Sequence, residues 1–236
     1  MYLRGDIAAG LDSPVARDAL RISLETSAAS LVLMVVIGTP IAYLLGTHRF
    51  PGHSLVVTAF ELPLVLPPAV AGLGLLFAFG RRGLLGDELS ALGLDIPFTK
   101  LAVVLAMTFV ASPLYVRQAL ASFSAVDPDL LAAARTLGAG EARTFVRVAV
   151  PVAAAGLGAG AALGWARALG EFGATIIFAG SLQGVTQTAP VAIYLGLEGD
   201  RDAAFAIAAV LIAASALVLL AVKLLVRGGT RRFGLV

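Results

Sequence analysis

Two opposite charges stand four residues apart in one of the most apolar stretches of this chain, WARALGEFGATIIFAG, from Trp165 to Gly180. They are Arg167 and Glu171. Side chains at that spacing meet on one face of a helix, and a charge deep in a bilayer is costly unless it is paired or wet. Three chemistries are open to the pair. It can be a structural ion pair that silences both charges, a pathway-lining pair that breaks and re-pairs, or a direct anion contact through Arg167. Ser112, Pro113 and Thr175 are polar or kinked points able to face a pore. Pro67 and Pro68 mark either an ordinary kink or an irregular turn lining a pathway. Glu61 can snorkel or pair, and no role follows for it.

Other chemistry is excluded more firmly. The chain has no cysteine, which removes disulfides, thiolate metal sites and thiol nucleophiles. Its two histidines, His48 and His53, share one short loop with no carboxylate between them, and read as non-ligands. No metal site and no Ser-His-Asp constellation follows. The phosphate cradle G-x-x-x-x-G-K-[ST] is missing. GLGAGAALG, residues 156–164, has no lysine and lies in an apolar run. The chain by itself is therefore not expected to be an enzyme, and no cofactor is expected in it.

The elements that must hold these residues are membrane spans. Of 236 residues 59% are hydrophobic and 14% charged, and the mean hydropathy is +0.94. Soluble domains carry roughly 25% charged residues. A span needs about 20 mainly apolar residues. Five such segments run from about Ile22 to Leu45, Leu55 to Phe79, Leu101 to Phe123, Pro151 to Phe178 and Ala203 to Val226. In lipid each backbone N–H must be satisfied within its own segment, so an open chain crosses as helices. Arg167 falls near the middle of the fourth. Lys100 and Lys223 read as interfacial. Net charge is only +2 and no basic stripe is present, so no nucleic-acid partner is expected.

Gly156, Gly160 and Gly164 form a ladder of small residues in the fourth span, with Gly158 and Ala162 beside them. Such ladders let helices approach closely, either inside one subunit or between two. With the N-terminus outside and Arg167 set apart, nine of the 17 Lys and Arg count to the inner side, with Arg117 and Lys223 near the inner ends of their spans among them, and seven to the outer side. That favours an inward central loop and an inward C-terminus. Residues 1–19 form a polar segment without a signal-peptide core, 20–227 the membrane domain, and 228–236 a tail. No internal repeat stands out.

The central loop, residues 124–151, contains LLAAARTLGAGEARTFVRVAVP, from Leu130 to Pro151. Asp127 suits an N-cap and Pro128 a first helical position. Leu130, Ala134 and Leu137 fall on one face. Gly138 stands where a C-cap wants positive φ. A second short helix carrying Arg143 and Arg147 should follow, with Pro151 starting the next span.

This loop resembles the EAA loop of binding-protein-dependent ABC importer permeases. Ala132, Ala133 and Ala134 take the Glu-Ala-Ala places, Gly138 is the glycine, and Val148, Val150 and Pro151 close the pattern. The departure is Ala132, where the family often has Glu. Phe50 to Gly86, FPGHSLVVTAFELPLVLPPAVAGLGLLFAFGRRGLLG, resembles the second-span region of molybdate permeases, and Trp165 to Gly180 their fourth-span signature. Many relatives carry a further N-terminal span, where this chain has a polar stub.

The resemblance implies an all-α membrane protein of about five helices with the type I ABC importer permease fold. It implies an inner-membrane location and ATP-driven import of molybdate or tungstate. The loop, Arg135 included, would form a coupling helix seated in an ATPase subunit that binds ATP and Mg. Two permeases, two ATPases and an external binding protein would assemble in membrane lipid. The outer loops, Arg81 to Thr99 and Ser181 to Asp202, would meet the binding protein, and PVAIYLGLEG, residues 190–199, would be a short amphipathic outer helix. A sulfate-type ABC permease is the nearest alternative. An ion-coupled secondary anion transporter fits less well, because the EAA spacing has no purpose in it. A membrane scaffold that transports nothing is disfavoured by Arg167 and Glu171.

Overall fold

A computed structural model describes residues 7–232, with side chains for residues 9–220. Arg4 and the side chains of Lys223, Arg227, Arg231 and Arg232, all part of the charge count, lie outside the described residues. The element order is α1 (Ile7–Asp12), α2 (Pro14–Thr47), α3 (His53–Val65), α4 (Pro68–Phe79), α5 (Gly86–Ala91), α6 (Lys100–Ser124), α7 (Pro128–Thr136), α8 (Glu141–Thr144), a π-turn (Phe145–Ala149), α9 (Val150–Leu169), α10 (Gly173–Phe178), α11 (Ala189–Gly196) and α12 (Arg201–Arg232). The described residues contain no strand.

Four helices are long and apolar enough to cross a membrane, and the bent pair α3–α4 passes the same test when its halves are taken together, as a broken span or a re-entrant loop. Helix α2 has 34 residues. At 1.5 Å per residue it is about 50 Å long, well beyond a hydrocarbon core of about 30 Å. It starts at Pro14, whose missing N–H is harmless in a first turn, and Ser13 caps it by accepting from Ala16 N at 3.2 Å. The break between α3 and α4 is a bend of 116°. Pro67 and Pro68 push their predecessors out of the helical region, and Leu66 is extended at φ −73, ψ 132.

Helices α2, α6 and α9 form the centre, with α4 and α10 packed on each other and on α6. Helices α1, α11 and α12 close the other side. Lipid is as apolar as leucine, so close packing and hydrogen bonds must hold the spans together. Hydroxyls along α2 supply a seam. Ser23 Oγ accepts from Ala189 N at 2.7 Å, Ser27 Oγ accepts from Trp165 Nε1 at 3.1 Å, and the Ser30 and Thr108 hydroxyls lie 3.0 Å apart. Farther along, Thr39 Oγ1 lies 2.5 Å from Tyr115 Oη. Each such bond contributes about 0.6 kcal/mol on average in a membrane protein.

Three expectations need correction. The run from Pro151 to Phe178 is not one helix. It stops at Leu169, breaks at Gly170–Phe172 and restarts as the six-residue α10. Arg167 is therefore in a last turn and not mid-span. Nor is there a separate second loop helix. Glu141 to Leu169 is continuous, with Pro151 inside it. The π-turn explains this. Pro151 offers no N–H, and its ring would collide with the carbonyl four residues back. Widening by one residue, with Val150 N donating to Phe145 O, lets the helix pass. Finally, α11 is helical, but its exposed side carries Tyr194 and Leu195 and is not polar.

Candidate functional site

Two helix breaks meet in this fold. A Cβ added at Gly173 would lie 2.8 Å from Pro68 Cβ, and one at Gly72 would lie 2.8 Å from the carbonyl oxygen of Ala174. Both glycines are thus required for α4 and α10 to touch, and the contact sets Pro68 beside the break that holds Glu171. Pro67 and Pro68 themselves are exposed.

Glu171 organises its own break. Its side chain is 1% exposed and that of Arg167 32%. One carboxylate oxygen sits 2.7 Å from Arg167 Nη1, and the other accepts from Ala174 N at 2.8 Å. The end of α9 and the start of α10 are therefore stapled through one buried carboxylate. The i, i+4 pair of the sequence forms, with Glu171 just past the helix. Thr175, on α10, is fully buried and its hydroxyl has no partner among the described residues. Ser112, on α6, is half-buried, and its hydroxyl reaches only Phe109 O in its own helix, at 3.5 Å. Nothing brings it to Glu171.

The glycine ladder packs within the chain. A Cβ at Gly156 would collide with Ser122 Oγ at 2.0 Å, and one at Gly160 would be 3.0 Å from Gln118 Cβ. One at Gly164 would meet Met34 and Tyr115 at ordinary contact distance, 3.5 Å. Gly158 has open space around it.

The central loop is closed by local bonds. Asp127 Oδ1 accepts from Asp129 N at 2.9 Å, and Pro128 opens α7. Gly138 has φ +84. Gly138 N donates to Arg135 O at 2.9 Å and Ala139 N to Ala134 O at 3.0 Å. That pair of bonds is the Schellman stop. Arg135 then reaches Glu141 at 2.9 Å, joining α7 to α8. The carboxylate raises the Arg135 guanidinium above its ordinary value, chiefly by hydrogen bonding. No spacing rule pointed to this pair, because its partners flank a turn.

The apolar face of α7 also differs from expectation. Leu131 is the buried anchor, at 5% exposure. Ala134 is half-buried, whereas Ala132, Ala133, Leu130 and Leu137 face outward. Leu137 is 88% exposed, in a loop outside any apolar span. Behind the loop the rings of Tyr43, Phe123 and Phe145 cluster with centroids 4.9 to 6.2 Å apart, tying α2, α6 and the π-turn together.

Residues 38–231 match the family model described as the binding-protein-dependent transport system inner membrane component. The chain is 44% identical to the molybdenum transport system permease protein ModB of Mycobacterium tuberculosis, over 90% of this chain and 80% of that protein. It is 35% identical to the sulfate transport system permease protein CysT of Escherichia coli, over 91% and 78%. A bacterial alginate ABC transporter, crystallised in complex with an alginate pentasaccharide-bound periplasmic protein, superposes with a TM-score of 0.67 at 19% identity. That match covers 95% of this chain and 81% of the other. At that identity the likeness establishes the fold alone.

Proposed function

The chain belongs to the family of binding-protein-dependent transport system inner membrane components, and from this premise we propose that it is the multi-pass permease subunit for ATP-driven import of molybdate. The observation that carries the cargo is the 44% identity to a molybdenum permease across 90% of the chain. Tungstate, a near-identical tetrahedral dianion, would use the same route. The sulfate permease at 35% identity keeps a sulfate-type importer as the second reading.

The assembly holds two copies of this chain, two ATPase subunits that bind ATP and Mg, and an external molybdate-binding protein. The N-terminus lies outside and the C-terminus in the cytoplasm. Residues 1–19 are the N-terminal segment, 20–227 the transporter domain and 228–236 the tail. The loop at 124–151 docks in the ATPase through the outward side of α7, with Ala132, Ala133 and the exposed Leu137. Arg135 and Gly138 keep that side in shape. Pro151 and the π-turn join the loop to α9, so that ATP-driven closure of the ATPases tilts α6 and α9 and switches access. Ala132 in place of Glu means that docking there rests on shape and apolar contact, with no salt bridge from that position.

Pro67, Pro68, Ser112 and Thr175 stand as pathway positions. Arg167 and Glu171 act as a structural staple next to the passage. That role is supported by the second bond from Glu171 to Ala174 N.

The test is uptake of labelled molybdate into liposomes holding this chain, its ATPase and its binding protein, with ATP present or absent inside. Uptake that needs ATP and is blocked by tungstate but not by sulfate supports the reading. Block by sulfate at equal concentration transfers the chain to the sulfate class. Uptake that ignores ATP overturns the import mechanism.

A further inference from the structure

The bent span α3–α4 presents two features that lipid does not tolerate. The first is its break. Pro67 and Pro68 have no N–H, so the carbonyls of Pro63 and Leu64 lose their helical partners four residues on. Pro63 is buried in the bundle, but the stretch beyond it is open to the surroundings, with Leu64 39% and Val65 79% exposed and Pro67, Pro68 and Ala69 exposed beside them. Irregular backbone at membrane depth occurs only where protein covers it or where it lines water.

The second feature is a pair of charges. Arg117 on α6 lies 3.8 Å from Glu61 on α3, with side chains 71% and 42% exposed. Glu61 is eight residues from the start of α3 and Arg117 seven from the end of α6. Both thus lie about 10–12 Å along their helices from the side that carries α7. Charges at such depths face a bundle interior or a water-filled cavity.

The Arg167–Glu171 and Arg117–Glu61 pairs differ in kind. Arg167 is held at 2.7 Å by a carboxylate that is itself buried and used a second time. Arg117 lies 3.8 Å from a carboxylate that is itself 42% exposed. The first cation is committed to the fold. The second is available to a passing anion.

Resting on the reading of this chain as an oxyanion permease, we propose that α3–α4 and the adjoining stretch of α6 form the wet wall of the passage, and that Arg117 is the cation that the tetrahedral dianion meets there. Glu61 competes for the same guanidinium. It keeps the contact loose enough for release, as conduction requires favourable entry with possible exit.

The absence of cysteine makes the wall directly testable, since an introduced thiol is unique in this chain. The complete transporter in liposomes is treated with a charged, membrane-impermeant thiosulfonate, and modification of this chain is read by mass. Val65→Cys is compared with Leu217→Cys, which replaces a 66% exposed side chain on α12. The expected result is modification of Val65→Cys about tenfold faster or more, because the reactive thiolate forms in water and not in lipid. Equal rates overturn the wet wall.

The charge is tested by rescue. Arg117→Cys lowers uptake about tenfold, as loss of one contact to a charged group does. An aminoethyl adduct, which restores a cation, recovers uptake, and a neutral methyl adduct does not. Arg117→Lys, which keeps charge without new chemistry, stays near wild type. Unchanged uptake in Arg117→Cys, or recovery with the neutral methyl adduct as well as the aminoethyl one, overturns the role of the cation. Should the wild-type transporter carry no molybdate, the cargo assignment fails, while the thiol rates, which need no substrate, still decide the wall.

Discussion

Gly72 on α4 and Ala174 on α10 approach so closely that a Cβ at position 72 would stand 2.8 Å from the Ala174 carbonyl oxygen and 2.9 Å from its Cα. The neighbour is backbone and cannot swing aside. Gly72→Ala should therefore force α4 off α10, at a cost of about 1–3 kcal/mol. Thermal melting in detergent checks this, with Gly74→Ala as control, because Gly74 has nothing within 4 Å.

Glu171 serves two partners, so its variants separate them. Glu171→Gln keeps an acceptor for Ala174 N but loses the charge facing Arg167. Glu171→Ala loses both, and should be the less stable of the two. Removing one partner of a buried pair costs about 3–5 kcal/mol. A double variant, Glu171→Gln with Arg167→Met, should regain part of the loss, since no unpaired charge remains. Melting temperatures of the three variants test the order.

Gly138, at φ +84, stops α7. Its surroundings are open, so a substitution there meets strain and no collision. Gly138→Ala should cost about 1–2 kcal/mol locally and weaken capture of the ATPase subunit, whereas Gly140→Ala, with φ −68, should not. Pull-down of the ATPase by each variant is the measurement. Equal capture would argue against a docking role for this loop.

The Arg81–Asp95 pair ties the two ends of the loop between α4 and α6. Hydrogen bonding to Arg81 holds the Asp95 carboxyl below its ordinary value. A depressed carboxyl contributes stability that is complete above its unfolded pKa and lost as pH falls through the folded one. Amide exchange over residues 80–98 should thus be unchanged between neutral pH and the ordinary carboxylate range, and quicken below it. Both side chains are at least half exposed, so the effect should be small.

Much of the fold was legible because its signals are local. Asp127, Pro128 and Gly138 each act within a few residues, and the structure shows the cap, the first turn and the positive φ at those places. The paired prolines marked a break between α3 and α4 for the same reason. The break after Leu169 carries no proline. It depends on a carboxylate reaching forward to Ala174 N and back to Arg167, which periodicity read as one uninterrupted span. The π-turn was hidden likewise, since Pro151 signals a boundary as readily as a widened helix.

Composition and spacing alone determined that this chain crosses a membrane as helices, and that its polar central loop is a capped, compact unit. Those properties follow from hydration and from backbone geometry over four or five residues. Only the tertiary structure decided which small residues are contacts. Gly72 and Gly173 touch a neighbour's backbone or proline, while Gly74 and Gly158, equally small and equally apolar, touch nothing. It also decided that Arg167 pairs with a buried carboxylate and Arg117 with a part-exposed one, and an ion pair's worth depends on its burial and its second partner. Neither is a property of the spacing between two residues in a chain.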